Sequence, residues 1–229
     1  MWVCRCLDKL TTRRHIINEY DNLAERTIFI HAERYQWHND DPRYDGKNNL
    51  RNLRLDFLDE QGYLNLRCHW FQGCPSSMNL GISNLTTPPS LNPFHENPDA
   101  ELEELYAATW QYIFPDTRIP DYVGASCCSQ FAVTRETIRA NRKEQYIKIR
   151  KWLLDTHMED YMSGRVLEYT WHILFGRSAV HCPSAEDCYC NTYGLCDLEC
   201  KEGDCGIYQY PFDIPRLKTI WWKLRHAFG

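Results

Sequence analysis

The densest set of chemistry-bearing residues runs from His31 to Asp45. His31, Glu33, His38, Asp40, Asp41 and Asp45 are interleaved there with Tyr35, Trp37 and Tyr44. Adjacent carboxylates such as Asp40-Asp41 suit a divalent cation, because hard oxygen ligands favour magnesium or manganese. They equally suit acid/base work, because two close carboxylates push one pKa upward. The plainer alternative is a solvated loop whose aspartates cap the next turn. Trp37 beside two histidines is costly on a plain surface loop and favours a functional one.

A second constellation is Arg165, Glu168 and His172. On a helix these share one face, and the Glu168–His172 spacing lets a carboxylate orient an imidazole. An ion pair on a solvated face is the competing reading. Cys127-Cys128 precedes Gln130 and a buried run; a nucleophile there is conceivable, but free cysteine more commonly packs in cores. Arg135, Arg139, Arg142, Lys143, Lys148, Arg150 and Lys151 stand against only Glu136 and Glu144. That segment is either a phosphate-binding face or ordinary helix-surface charge.

Six cysteines follow, at Cys182, Cys188, Cys190, Cys196, Cys200 and Cys205. They do not form two CxxC knuckles, so the zinc signal is weak. Disulfides, or one irregular metal site with His181, remain open. Either way, Cys182, Cys188, Cys190, Cys196 and Cys200 are expected to clamp a segment that lacks periodic apolar residues.

These groups need elements to hold them. Residues 7–20 read as a helix with Leu7, Leu10, Ile17 and Tyr20 on one stripe. Thr27 to His31 is a β-branched and aromatic run, as in the middle of a covered sheet. The acidic loop follows that strand's C-terminal end. A short helix is expected over 50–58 and an alternating strand over 63–68. An exposed Pro-rich loop is expected over 81–98, then a helix from Asp99 to Ile113. Gln130 to Thr134 is a second buried strand, and Thr134 caps a long helix to about Leu154. A helix over 164–175 ends at Gly176. Residues 181–205 show no periodicity, and 221–226 form a short amphipathic helix.

Strands alternating with helices imply a three-layer α/β domain. Its expected extent is 1–180, with a Cys-rich segment, 181–229, packed on the same domain. The 229 residues are 43% hydrophobic and 14% aromatic, which excludes disorder. A net charge of −5 excludes a globally basic nucleic-acid coat. No stretch reaches about 18 apolar residues, and MWVCRCLDKLTTRR is no secretory signal. A cytoplasmic protein with reduced or metal-bound cysteines is the expectation.

The runs HAERYQWHNDDPRYDG (31–46), LRNLRL (50–55), GYLNLRC (62–68) and GCP (73–75) resemble a fungal family catalogued as a domain of unknown function. CCSQFAVTRETI (127–138), SGRVLEYTWHILFG (163–176) and HCPSAEDCYCNTYGLCDLEC (181–200) resemble it too. The resemblance implies a mixed sheet flanked by helices, similar to the glycosyltransferase type A fold. Family members usually carry a strand before the first helix, often after a membrane anchor. This chain starts almost directly in that helix, so its first strand is expected to be missing.

Within the family the chain resembles small fungal arginine-containing cyclodipeptide synthases. That resemblance implies arginyl-tRNA and a second aminoacyl-tRNA as partners, no membrane and no required cofactor. The absence of a GxxxxGK[ST] motif fits, because the ester substrate is already activated. Glu168 would be the base on an α-amine, with His172 orienting it. Asp40 and Asp41 would hold the arginyl group or a divalent cation. Glu33, Tyr35, Trp37, His38 and Gln130 would line the substrate. Arg135, Arg139, Arg142, Lys143, Arg150 and Lys151 would grip tRNA. A metal-dependent glycosyltransferase-like enzyme and a non-catalytic binding module are the alternatives.

Overall fold

The computed structural model describes residues 2–6, 9–75, 78–81, 100–201 and 205–206. The 81–98 loop beyond Gly81 and the 221–226 helix lie outside them. In chain order the elements are β1 (Trp2–Cys6), α1 (Lys9–Glu19), β2 (Arg26–His31), α2 (Gly46–Asn52) and α3 (Leu55–Gln61). Next come β3 (Tyr63–Asn65), β4 (Met78–Asn79), α4 (Ala100–Ile113), β5 (Tyr122–Ala125) and β6 (Phe131–Thr134). The rest are α5 (Arg135–Arg139), α6 (Lys143–Asp155), α7 (Asp160–Glu168), α8 (Trp171–Leu174), β7 (Val180–His181) and α9 (Ala185–Tyr193).

The main sheet has the order β1-β2-β6-β3, with β1 parallel to β2 and the other pairs antiparallel. The first strand is therefore present, contrary to expectation: Val3 pairs with Ile28 and Cys6 with His31. Strand alternation then sorts side chains to two faces. Phe29, Phe131, Val133 and Tyr63 pack with Ile16, Tyr146, Leu167 and Trp171 on one face. Ile28, Ala132 and Leu64 pack with Leu58, Tyr189 and Tyr193 on the other. Each fully buried residue of this kind stabilises the fold by roughly 1.5–3 kcal/mol. Helices cover both faces, so the chain is a three-layer α/β fold. A smaller sheet, β4-β5-β7, packs beside it over Val123, Trp110 and Val166.

Four local expectations need correction. The single helix over 50–58 is two, broken at Leu53-Arg54 where the Arg54 N–H donates to the Thr192 carbonyl. Thr134 does cap its helix, accepting from the Thr137 N–H, but that helix stops at Arg139. Asn141 is held outside it: its amide donates to the Leu174 carbonyl at 2.7 Å, and its own carbonyl accepts the Tyr20 hydroxyl at 2.6 Å. The helix over 164–175 begins at Asp160 and breaks after Glu168, where the Tyr169 carbonyl accepts the Tyr106 hydroxyl at 2.9 Å. The Cys-rich segment holds a helix, α9. Ser184 caps it through the Asp187 N–H, and Gly194 closes it in the left-handed conformation.

The ten cysteines from Cys68 to Cys205 are bonded in pairs, which overturns the expectation of reduced thiols for them. Cys68–Cys188 and Cys74–Cys182 tie the segment after β3 to α9 and its approach. Cys190–Cys196 and Cys200–Cys205 close short local loops, and neighbours Cys127 and Cys128 are also joined. Among the described residues, no helix is long and apolar enough to cross a membrane.

Candidate active site

One edge of the main sheet gathers the polar residues. His31 ends β2, Asn65 ends β3, and Gln130 immediately precedes β6, which runs the other way. Three loops leave that edge: 32–45, 66–75 and 126–130. Ligands of α/β sheets characteristically lie at such an edge. Gln130 joins two of the loops, accepting from the His31 N–H at 3.1 Å and donating to the His38 carbonyl at 2.9 Å. Gly73 joins the other pair: at φ +106° a Cβ there would fall 2.0 Å from the Ala125 carbonyl oxygen. Only glycine permits that approach.

At the centre stands Arg67, a residue the sequence reading passed over as one position of an alternating strand. It is 1% exposed. Its Nε donates to His69 Nε2 at 2.7 Å, and Nη1 lies 2.7 Å and 2.6 Å from the sulfurs of Cys127 and Cys128. Its guanidinium carbon sits 5.3 Å from the Trp37 ring centre. A buried cation needs partners. Two carboxylates feel its charge, Asp40 and Glu168.

Asp40 is fully buried and accepts from the Cys68 N–H and the Tyr189 hydroxyl, each at 2.7 Å. Burial raises its pKa, and those donors and Arg67 oppose the rise. Glu168 is placed by the last turn of α7 and accepts from the Cys128 N–H at 2.6 Å. Burial raises its pKa too, against that N–H, Arg165 and Arg67. Glu168 keeps some solvent contact, so it is an accessible carboxylate that takes a proton more readily than usual. His69 is held neutral, its pKa pushed down to about 3 by burial and by Arg67. His38 is likewise pushed to about 3 by burial, His31 and Arg67. It stacks on His31 at 3.9 Å, and the Trp37 ring lies tilted against it at 4.0 Å. Tyr35 and Trp37 are exposed at the mouth.

The structure thus brings together Asp40, Glu168, His38, Gln130 and Trp37, with Arg67 and His69 added. It separates others. Asp41 turns into its own loop, accepting from the Arg43 and Asp45 N–H groups and from the Asn48 amide. Asp45 pairs with Arg34 through both oxygens. The break after Glu168 takes His172 off its face, and His172 Nε2 bonds the Ala179 carbonyl at 2.9 Å instead. Glu33 is exposed beside Arg34, and Tyr35 pairs through its backbone with Asp45. His181 lies in β7 beside Tyr63 and His172, away from the acidic loop's hydrogen bonds.

Asp40, Asp41 and Asp45 already accept N–H or O–H donors on both carboxylate oxygens. Among the described residues Cys127, Cys128 and Glu168 are the one gathering of ligand-type atoms. Its two sulfurs are bonded to each other and face a guanidinium, which does not fit a cation. The basic segment is split as well. Arg135 donates to the Leu23 carbonyl, Arg139 to the Tyr20 and Asp21 carbonyls, Lys143 pairs with Asp21, and Lys151 with Asp155. Arg142 and Arg150 remain as surface charge on and before α6.

Fold and site define a three-layer α/β protein with a buried arginine–carboxylate centre at one sheet edge. The chain belongs to the family described as protein of unknown function (DUF3431), whose model matches residues 10–191. That span contains the whole centre, from His31 to Tyr189. No curated protein and no solved structure gives a significant match.

Proposed function

We propose that the chain is an aminoacyltransferase that joins arginyl-tRNA and a second aminoacyl-tRNA into an arginine-containing cyclodipeptide. The observation that carries this reading is Glu168: a desolvated carboxylate with residual solvent access, anchored by one N–H and set beside the Arg67 guanidinium. An α-amine attacks the ester carbonyl. The C–N bond forms, the ester C–O bond breaks, and the tRNA hydroxyl leaves. Glu168 takes the amine proton and returns it to that hydroxyl. Arg67 stabilises the charge that develops on the carbonyl oxygen. A second round closes the ring. The activated ester supplies the driving force, so the reading needs no ATP, cofactor or cation. With Asp40 and Asp41 occupied, an arginyl side chain is left to the exposed Tyr35 and Trp37 rings and to Glu33. Arg142 and Arg150, with the other basic residues of 135–151, would face tRNA.

This reading places the protein in the cytoplasm, where charged tRNA is found. The cysteine bonds weigh against that, because cytoplasmic thiols are kept reduced. They favour a second reading: a glycosyltransferase-like transfer in an oxidising lumen, on a type A-like sheet. Expression in bacteria with mass spectrometry for new arginine diketopiperazines tests the first reading. Product is expected whose formation is abolished by Glu168→Gln and, in assays with purified protein, by RNase treatment of the charged tRNA. Absence of product from folded protein, with sugar-nucleotide turnover in its place, would transfer the assignment to the second.

A further inference from the structure

Beside the Arg67 centre lies a second feature that neither reading uses. A cavity of about 100 Å³ opens between the end of β3 and the start of α9. Arg67, Arg177 and His181 are among its lining residues. Phe57, Tyr63 and Pro183 make much of the rest apolar. Its volume is room for about three waters, or for a short organic acid.

The charges on this cavity are few and fixed. Arg177 is held in place by the carbonyls of Gln61 and Tyr63 and, at 3.4 Å, by Gln61 Oε1. A guanidinium has five N–H donors, so Arg177 retains donors beyond these bonds among the described residues. His181 is neutral at pH 7, pushed to about 4 by burial and by Arg177. Tyr63 keeps its proton, since burial raises its pKa far above neutrality. The wall's carboxylate, Asp187, is exposed and accepts the Ser184 hydroxyl at 2.6 Å. The Arg67 charge is already set against Asp40 and Glu168, so Arg177, whose partners among the described residues are neutral oxygens, is the cation the cavity offers, with one peripheral anion and apolar sides. Such a space selects one anionic head on a short apolar tail.

We infer that this cavity binds a small free carboxylate with an aliphatic tail, seated on Arg177 and reaching Arg67. The inference goes beyond the aminoacyl-transfer reading, because an aminoacyl ester presents no free carboxylate. It stands or falls separately from that reading. Through Arg67, an occupant of the cavity touches the same guanidinium that serves Asp40 and Glu168.

The test uses the purified full chain, with thermal unfolding and calorimetry in the presence of butyrate, butyramide or inorganic phosphate. Butyrate is expected to raise Tm saturably, and the amide and phosphate are not. Asn191→Phe, which fills the cavity from the half-exposed face of α9 without changing charge, should weaken butyrate binding by about tenfold or more, the scale of one charge-assisted bond. Asp187→Asn should tighten it by about threefold, the scale of one exposed charge. This second variant keeps the test valid should Asn191→Phe fold poorly. Equal stabilisation by butyramide would reduce the cavity to an apolar hole. Equal stabilisation by phosphate would make it a general anion site. No response to butyrate, or a response that both variants leave untouched, would place no site there. Each of these results overturns the inference.

Discussion

Cys68–Cys188 and Cys74–Cys182 are nested, with sequence separations of 120 and 108, and the nesting predicts how their removal combines. Either bond alone closes a long loop, which in the chain-entropy account stabilises the fold by about 5 kcal/mol. With the other bond in place it closes only a ring of about twelve residues, worth about 3 kcal/mol. Replacing one cysteine pair by alanine should therefore cost about 3 kcal/mol from either pair. Replacing both should cost about 8 kcal/mol, roughly 2 kcal/mol more than the two single-pair losses together. Cavities left by the lost sulfurs enter single and combined variants alike and cancel in that excess. Urea unfolding followed by circular dichroism at 25 °C measures all four proteins. Strict additivity, or single-pair losses near zero, would refute the reasoning and show that the two bonds are not both present in the folded chain.

Other outcomes follow from the centre and its surroundings. Arg67→Met removes the cation whose charge Asp40 feels and one of the two, with Arg165, that Glu168 feels, so it should lower stability in urea unfolding and raise the apparent pKa of Glu168 further. His172 is pushed down to about 4 by burial, below its unfolded value of 6.5. Its neutral form therefore stabilises the fold above pH 6.5, and that contribution is lost as pH falls toward 4. His172→Gln should lose stability at pH 7 yet gain on the wild type as pH is lowered through this window; parallel stability curves would contradict the assignment. Arg142→Glu with Arg150→Glu should raise KM for charged tRNA by about tenfold with Tm unchanged. Arg139→Glu, which removes the bonds to Tyr20 and Asp21, should instead lower Tm. Equal effects of the two variants on KM and Tm would mean the surface charge has no separate role.

Much of the frame was legible in the residues. Thr27–Ile30 and Phe131–Thr134 are apolar on both sides because helices cover both faces of the sheet. Thr134 announces its helix by its own hydroxyl. The breaks were not legible, because tertiary hydrogen bonds make them: Asn141 is drawn to Leu174, and the Tyr169 carbonyl to Tyr106. Helix α9 carried a signal that was passed over, with Ser184, Asp187 and Gly194 spaced as a cap and a stop. Within the site, the Asp40 region and Glu168 stood out by residue type. Arg67 did not, since one arginine in GYLNLRCHW looks like any solvent-facing strand position. Only the fold shows that this position points inward, at His69 and two sulfurs, where Asp40 and Glu168 feel its charge. Asp41 misled for the opposite reason: in sequence it equals Asp40, and only the loop's own N–H groups tell them apart.

The claim that Glu168 is the base in aminoacyl transfer is tested most directly by the pH profile of kcat/KM for diketopiperazine formation, using purified protein and charged arginyl-tRNA. The deprotonated carboxylate is the active form. The rate should therefore rise with pH through an apparent pKa above the ordinary glutamate range of about 4.3, the direction in which burial moves this group. Glu168→Gln should remove that limb and the activity together while leaving Tm within a few degrees. A Glu168→Gln protein that retains wild-type turnover, or a profile flat across the acidic range, would contradict the account.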